Sequence, residues 1–169
     1  MGMLRWAWLS VAVIAVDQWT KYWVDGCMAL YQSIDLVPFF RLTYLRNQGA
    51  AFSLLAGAGG WQRWFFIGLA LVASALICYW LARLDRHQRR EAAAWALVLG
   101  GALGNLIDRI VHGYVIDFLD VYYGQWHWPA FNVADSAITV GVAMLLIDAV
   151  QSHRSTHPDQ APRRNAPPG

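Results

Sequence analysis

Two aspartates stand where acids are unusual. Asp117 lies in "VIDFLD", wedged between Ile116 and Phe118, and Asp135 lies in "FNVADSAITVG", at the head of an apolar run that continues through "VAMLLIDAV". A carboxylate at the edge of hydrocarbon is costly, and by default it marks a paired or functional site. Two carboxylates brought close together in poor solvent cannot both ionise cheaply. One keeps its proton, and the pair divides into a base and an acid. The base can activate a water while the acid polarises a carbonyl, which is the chemistry of aspartic proteases. Asp135 has a second explanation: Asn132 is a good helix N-cap, and Asp135 then falls at N3, where the helix dipole favours an acid. Capping accounts for Asp135 as well as catalysis does. It does not account for Asp117, which has no helix start to serve.

Other polar residues interrupt the apolar segments. Asp17 and Lys21 in "DQWTK" are spaced i,i+4, where an ion pair on one helix face lowers the cost of each charge; a structural clamp is the better reading of these two. "GGALGNLIDR" places Asn105, Asp108 and Arg109 on one face, and Gly100 and Gly104 form a small-xxx-small pair that lets another helix approach closely. A serine or cysteine nucleophile is less attractive, because no histidine lies within the apolar runs and His112 and His127 fall in a loop. No Walker loop, zinc spacing or G-x-S-x-G occurs, and no metal is required.

The elements that must position these groups are membrane helices. Of the 169 residues 57% are hydrophobic and only 14% charged, too apolar for an ordinary soluble domain. Ten tryptophans point to the headgroup level of a bilayer, and a net charge of +2 is too small to argue for nucleic acid. Cys27 and Cys78 are far apart, one outside and one inside an apolar run, so no disulfide is expected. Spans are expected at about 4–24, 64–82, 92–110 and 133–150. Arg5, the cluster Arg83, Arg86, Arg89 and Arg90, and the basic tail then share one side, which makes both termini cytoplasmic. Arg41, Arg46 and Arg63 are a modest counter-signal. No A-x-A site follows the first run, and Asp17 and Lys21 continue it, so it reads as a retained span and not a cleaved leader.

Within the outer segment at about 28–60, "IDLVPFFRLTYLRN" reads as short strands forming a small sheet on the membrane, and "LLAGAGGWQRW" includes a short interfacial helix. Residues 1–152 form a single membrane-embedded domain, and 153–169 a disordered cytoplasmic tail. In this orientation Asp17, Asn105, Asp108, Arg109, Asp117, Asn132 and Asp135 fall near one plane at the outer interface. A proton-coupled carrier would instead spread its acids across the membrane and show an internal repeat. Only Asp148 stands apart, and no repeat is found. A scaffold subunit would leave Asp117 without a role.

The motifs "DQWTK" (17–21), "NQGAAF" (47–52), "GGALGNLIDR" (100–109), "GYVIDF" (113–118) and "FNVADS" (131–136) resemble, in order, those of the bacterial lipoprotein signal peptidases, or signal peptidase II. The resemblance covers nearly the whole chain up to about residue 152. It implies an α-helical membrane aspartyl endopeptidase, a four-transmembrane-helix bundle with a small extracytoplasmic β-sheet cradle between spans 1 and 2. Its implied activity is removal of the signal peptide from diacylglyceryl-modified prolipoproteins, just before the lipidated cysteine. By the same resemblance Asp117 and Asp135 are catalytic, Asn47, Gly49, Asn105, Arg109 and Asn132 bind substrate or shape the site, and Asp17, Lys21 and Asp108 support it. It implies no cofactor or metal, prolipoproteins and membrane lipid as partners, and a monomer in the inner membrane with its site near the periplasmic face. Asp120 and Asp148 are expected bystanders. Asp120 follows Asp117 at an odd spacing, which in a strand puts the two on opposite faces. Asp148 lies thirteen residues beyond Asp135, about 20 Å along a helix.

Overall fold

The computed structural model describes residues 3–49 and 60–156. The second half of "NQGAAF", the interfacial helix expected near 54–64 up to residue 59, and residues 157–169 of the tail lie outside the described residues. Four long helices dominate: α1 (Ala7–Cys27), preceded by a 3-10 turn at Met3–Trp6, α2 (Trp61–Arg83), α3 (Arg89–Val111) and α4 (Val133–Thr156). The last helix continues past 152, so the first residues assigned to a disordered tail are helical.

By length and composition α2, α3 and the Val133–Gln151 part of α4 can each cross a bilayer. The helix α1 falls short because Asp17, Lys21 and Asp25 lower its hydropathy. Its outward surface is nonetheless apolar. Asp17 and Lys21 are 0% and 2% exposed, whereas Trp8, Val11, Val16 and Trp19 face outward. Along α2 the exposed side chains include Leu69, Leu71, Val72 and Leu76, an apolar surface far larger than a water-facing monomer tolerates. The protein is membrane-embedded.

Without a hydrophobic drive between helices in lipid, close approach over small residues holds such a bundle. A Cβ on Gly100 would meet Val13 Cβ of α1 at 2.8 Å, and one on Gly104 would meet the Asp17 carboxylate at 2.6 Å. The pair expected to admit a neighbouring helix admits α1. A second seam joins α3 to α4, where a Cβ on Gly101 would collide with the Ala134 carbonyl oxygen and one on Gly141 with the Ala94 carbonyl at 2.7 Å.

The sheet is antiparallel in the order β1-β2-β3-β4. Strands β1 (Ser33–Val37) and β2 (Phe40–Asn47) come from the segment between α1 and α2, as the alternation there suggests. The other half, β3 (Val115–Tyr123) and β4 (Trp126–His127), comes from the α3–α4 connection. The sheet therefore does not belong to the first outer segment alone. Val115 to Phe118 are all buried, so β3 shows no alternation and its strand character is hidden. Val24 and Met28 at the end of α1 pack with Tyr44, Ile116 and Phe118, seating the sheet on the bundle.

One irregularity in β3 matters for the site. The N–H groups of Phe118 and Leu119 both donate to the Phe131 carbonyl, at 3.0 and 2.8 Å. This is a β-bulge, and it turns both side chains onto the same core. Asp117 and Asp120, on either side of the bulge, consequently border one groove. The odd spacing predicted opposite faces; an extra residue in the strand cancels it.

Candidate active site

The ladder between β2 and β3 pairs Leu45 with Asp117 and Asn47 with Val115. Asn47 is thus a diagonal neighbour of Asp117 on one face, and its Nδ2 donates to Asp117 Oδ2 at 3.0 Å. Gly49 fixes the orientation of that amide by donating its N–H to Asn47 Oδ1 at 2.9 Å. The other oxygen, Asp117 Oδ1, accepts Asn132 Nδ2 at 2.8 Å. Among the described residues Asp117 is held by two neutral amides and by no cation.

Asp135 sits in the first turn of α4, half-buried. It closes a capping box with Asn132: the Asp135 N–H donates to Asn132 Oδ1 at 2.9 Å, and the Asn132 N–H to Asp135 Oδ2 at 3.2 Å. The capping expectation therefore holds as geometry. The remaining oxygen, Oδ1, accepts Asn105 Nδ2 from α3 at 2.8 Å. Asp117 and Asp135 both face a cavity of about 550 Å³, whose other walls include Asn105, Arg109 and the apolar Phe131, Ile138 and Val140.

The orientation of Asn105 is set from α1. Lys21 Nζ donates to Asn105 Oδ1 at 3.0 Å, which turns the amide nitrogen toward Asp135. Lys21 also lies 2.8 Å from Asp17 and 3.0 Å from Asp108, so the i,i+4 pair becomes a buried triad. Each carboxylate of the triad has a second task. Asp17 Oδ1 accepts the Ala134 N–H at 2.9 Å and anchors the start of α4. Asp108 Oδ2 accepts the Ile116 N–H at 3.0 Å, one residue before Asp117. One lysine and two acids thereby fix the backbone beside both Asp117 and Asp135. A buried charge with full hydrogen bonding and opposite partners is tolerable where an isolated one is not.

Arg109 reaches neither dyad acid by a hydrogen bond. It donates to the carbonyl oxygens of Asn105 and Gly49, each at 3.2 Å, and lies over the Phe66 ring. Its guanidinium closes the cavity edge and ties the end of the Asn47–Gly49 stretch to α3. All the residues singled out from the sequence, Asp17, Lys21, Asn47, Gly49, Asn105, Asp108, Arg109, Asn132 and the two acids, therefore belong to one connected network. Gln18 belongs to it as well, donating to Asp108 Oδ1 at 2.9 Å and to Asp17 Oδ2 at 3.2 Å. It is the second residue of "DQWTK", but a glutamine next to an acid carries no signal of its own. Asp120 is outside the network, held by Arg41 Nε at 2.7 Å, Thr43 at 3.0 Å and His127 at 3.0 Å. Asp148 lies at the opposite end of the bundle beside His87, Arg90 and Glu91.

Burial, and then the negative charge of Asp135, push the Asp117 carboxyl up to about 7, against a smaller opposing effect of the Asn47 and Asn132 amides. Asp117 therefore holds its proton to a higher pH than an ordinary carboxyl. A protonated carboxyl and a second carboxylate facing one cavity can together deliver a proton and remove one. Among the described residues no cluster of three His, Cys, Asp or Glu side chains is placed to hold a metal ion.

Comparison with known proteins identifies relatives over most of the chain. The sequence model of the family described as Signal peptidase (SPase) II matches residues 9–151. A lipoprotein signal peptidase of Alteromonas mediterranea is 57% identical over 145 residues, covering 86% of this chain and 80% of the relative. One of Yersinia enterocolitica is 52% identical over 145 residues, 86% of each chain. A bacterial membrane enzyme solved by the in meso method at 2.3 Å resolution superposes with a TM-score of 0.80 at 29% identity, covering 96% of this chain and 94% of that one.

Proposed function

The chain belongs to the signal peptidase II family, and on that premise we propose that Asp117 and Asp135 form an aspartyl dyad that cuts lipid-modified prolipoproteins just before the lipidated cysteine. The observation that carries this reading is the convergence of two acids, from a strand and a helix start, on one cavity with an apolar wall. Asp135, ionised, takes a proton from a water whose oxygen attacks the scissile carbonyl carbon. Asp117 gives its proton to the carbonyl oxygen, and a tetrahedral diol forms. The diol then collapses: the amide nitrogen receives a proton from Asp135, the C–N bond breaks, and Asp117 recovers its proton. Asn47, Asn105 and Asn132 hold the two carboxylates in place throughout. Arg109 and the Gly49 backbone edge the site where the peptide lies.

All four long helices span the membrane in this reading. Both termini are cytoplasmic, and the sheet and dyad lie at the periplasmic face. The basic residues Arg83, Arg89 and Arg90 at the far ends of α2 and α3 support that orientation. The buried polar face of α1 supports its counting as a span, since hydropathy charges against it residues that never meet lipid. The enzyme works as a monomer and without a cofactor. A lipid-anchored cysteine holds its neighbouring peptide bond at the interface, and binding energy from the acyl chains positions that bond. The test is incubation of the purified protein in detergent with matched substrates, lipidated and unlipidated, followed by mass measurement of products. Cleavage before the cysteine of the lipidated substrate alone is expected. Equal kcat/KM for both would remove the membrane-positioning argument.

A further inference from the structure

A second groove, of about 540 Å³, opens on the other side of Asp117. It shares Asn47, Asp117 and the Trp128–Ala130 stretch with the cavity that faces both acids, so the two hollows are continuous past the dyad. Their chemistry differs. The first runs down α4 along Ile138 and Val140. The second lies over the sheet, between Arg41, Thr43 and Arg46 of β2, Asp120 of β3 and His127 of β4.

Resting on the peptidase reading, we propose that this sheet-side groove is the binding site for the polypeptide that follows the lipidated cysteine, taken in extended form. A prolipoprotein is apolar before its cleavage point and continues into water after it. The helix-side cavity suits the first part, and the sheet-side groove, lined by residues of β2, β3 and β4, suits the second. Along β3, Asp117 to Asp120 covers three strand steps, about 10 Å, which matches about three residues of an extended peptide.

The groove also has donors to spare. Arg41 bonds Asp120 through Nε alone, and among the described residues its terminal nitrogens make no hydrogen bond. An extended peptide presents carbonyl oxygens that need such donors. Asp120 serves as the floor, since its carboxylate holds Arg41 on one wall and His127 on the other. The bulge at Phe118–Leu119 brings this floor to the face that carries Asp117. With the Arg41 guanidinium at its wall, the groove accepts neutral or acidic residues and disfavours lysine or arginine.

The experiment uses the purified full-length protein and four substrates with one signal sequence and one diacylglyceryl-cysteine. After the cysteine they carry three serines, three aspartates, three lysines, or a single serine and no more. Wild type is expected to cut the triple-lysine and single-serine substrates with kcat/KM lower than the triple-serine reference by about tenfold or more, since like charges and lost contacts both weaken positioning. The aspartate substrate should equal or exceed the reference. Arg41→Gln should narrow the gap between lysine and serine substrates while still cutting the reference. Rates within about twofold for all four in wild type would overturn the subsite while leaving the peptidase reading intact. Failure of wild type to cut even the reference would overturn the peptidase reading, and the subsite with it.

Discussion

Asp117 holds its proton to a higher pH than an ordinary carboxyl because of where it sits: buried and near a second acid, effects that outweigh the opposing amides of Asn47 and Asn132. A dyad of this kind works with one proton between its members. The carboxyl of Asp117 is raised from its ordinary value to about 7, so the proton is present below that pH and lost above it. Log kcat/KM on a lipidated substrate should therefore fall with unit slope above about pH 7, and a profile flat to pH 9 would contradict the assignment. Asp117→Asn and Asp135→Asn should each lower kcat by about a thousandfold or more, because removing either member of a two-group mechanism removes most of its effect. Size-exclusion elution and far-UV circular dichroism should stay as in wild type. Turnover above a tenth of wild type in either variant would exclude the dyad. At this scale the sequence was informative about identity and silent about direction. An acid between Ile116 and Phe118 is visible as anomalous, but the shared face of Asp117 and Asp120 depends on one carbonyl, at Phe131, accepting two N–H groups. Nothing local in "VIDFLD" marks that event.

Strands and helices place these groups by close approach, and glycine sets the distance. Gly101 permits α3 to touch the backbone of Ala134, immediately before Asp135. Gly101→Ala should push the first turn of α4 outward and lower activity by about a hundredfold, the usual effect of an ångström-scale misplacement. Gly68→Ala in α2, where nothing lies within 4 Å of the added carbon, should leave cleavage unchanged. Initial rates on matched amounts of membrane protein distinguish the two. The Gly100 and Gly104 pair was legible because its spacing falls within one segment. Gly101 and Gly141 were not, since each acquires meaning only from a helix remote in sequence. The same limit hid half of the sheet: β1 and β2 show alternation, whereas β3 is buried where it meets the bundle. Asp120→Asn should still cut the triple-serine substrate, but with kcat/KM lowered toward the single-serine value, because Asp120 holds the groove walls and bonds neither acid.

Across the whole molecule, the polar network collects at one end of the bundle and the arginine clusters at the other. Two exposed cysteines report this polarity directly. Cys27 ends α1 beside the sheet, and Cys78 lies within α2 on its outward surface. A membrane-impermeant thiol reagent added to intact spheroplasts should modify Cys27 and leave Cys78 untouched until the membrane is dissolved. Modification of Cys27 only in inverted vesicles would reverse the proposed orientation. Charge asymmetry in the flanks was enough to suggest which end is which. The reading of α1 as a span is less evident from composition, because hydropathy cannot tell that Lys21 faces α3.

The buried Lys21 has a consequence for how the protein reaches the membrane during synthesis. Asp17 travels with it on α1, but Asp108 emerges from the ribosome only after α2 is complete. Until then α1 carries charges that each cost about 2.5–3.5 kcal/mol at a helix centre on translocon-insertion scales. Its integration should therefore wait for α3. In a nascent chain stopped at Gln88, Ser10→Cys should react with a water-soluble thiol reagent. In the finished protein the same position, buried against Ala96, should be closed to it. That outcome would make the triad that aligns the acids a checkpoint in biogenesis as well, with the first helix held in reserve until its partner has been made.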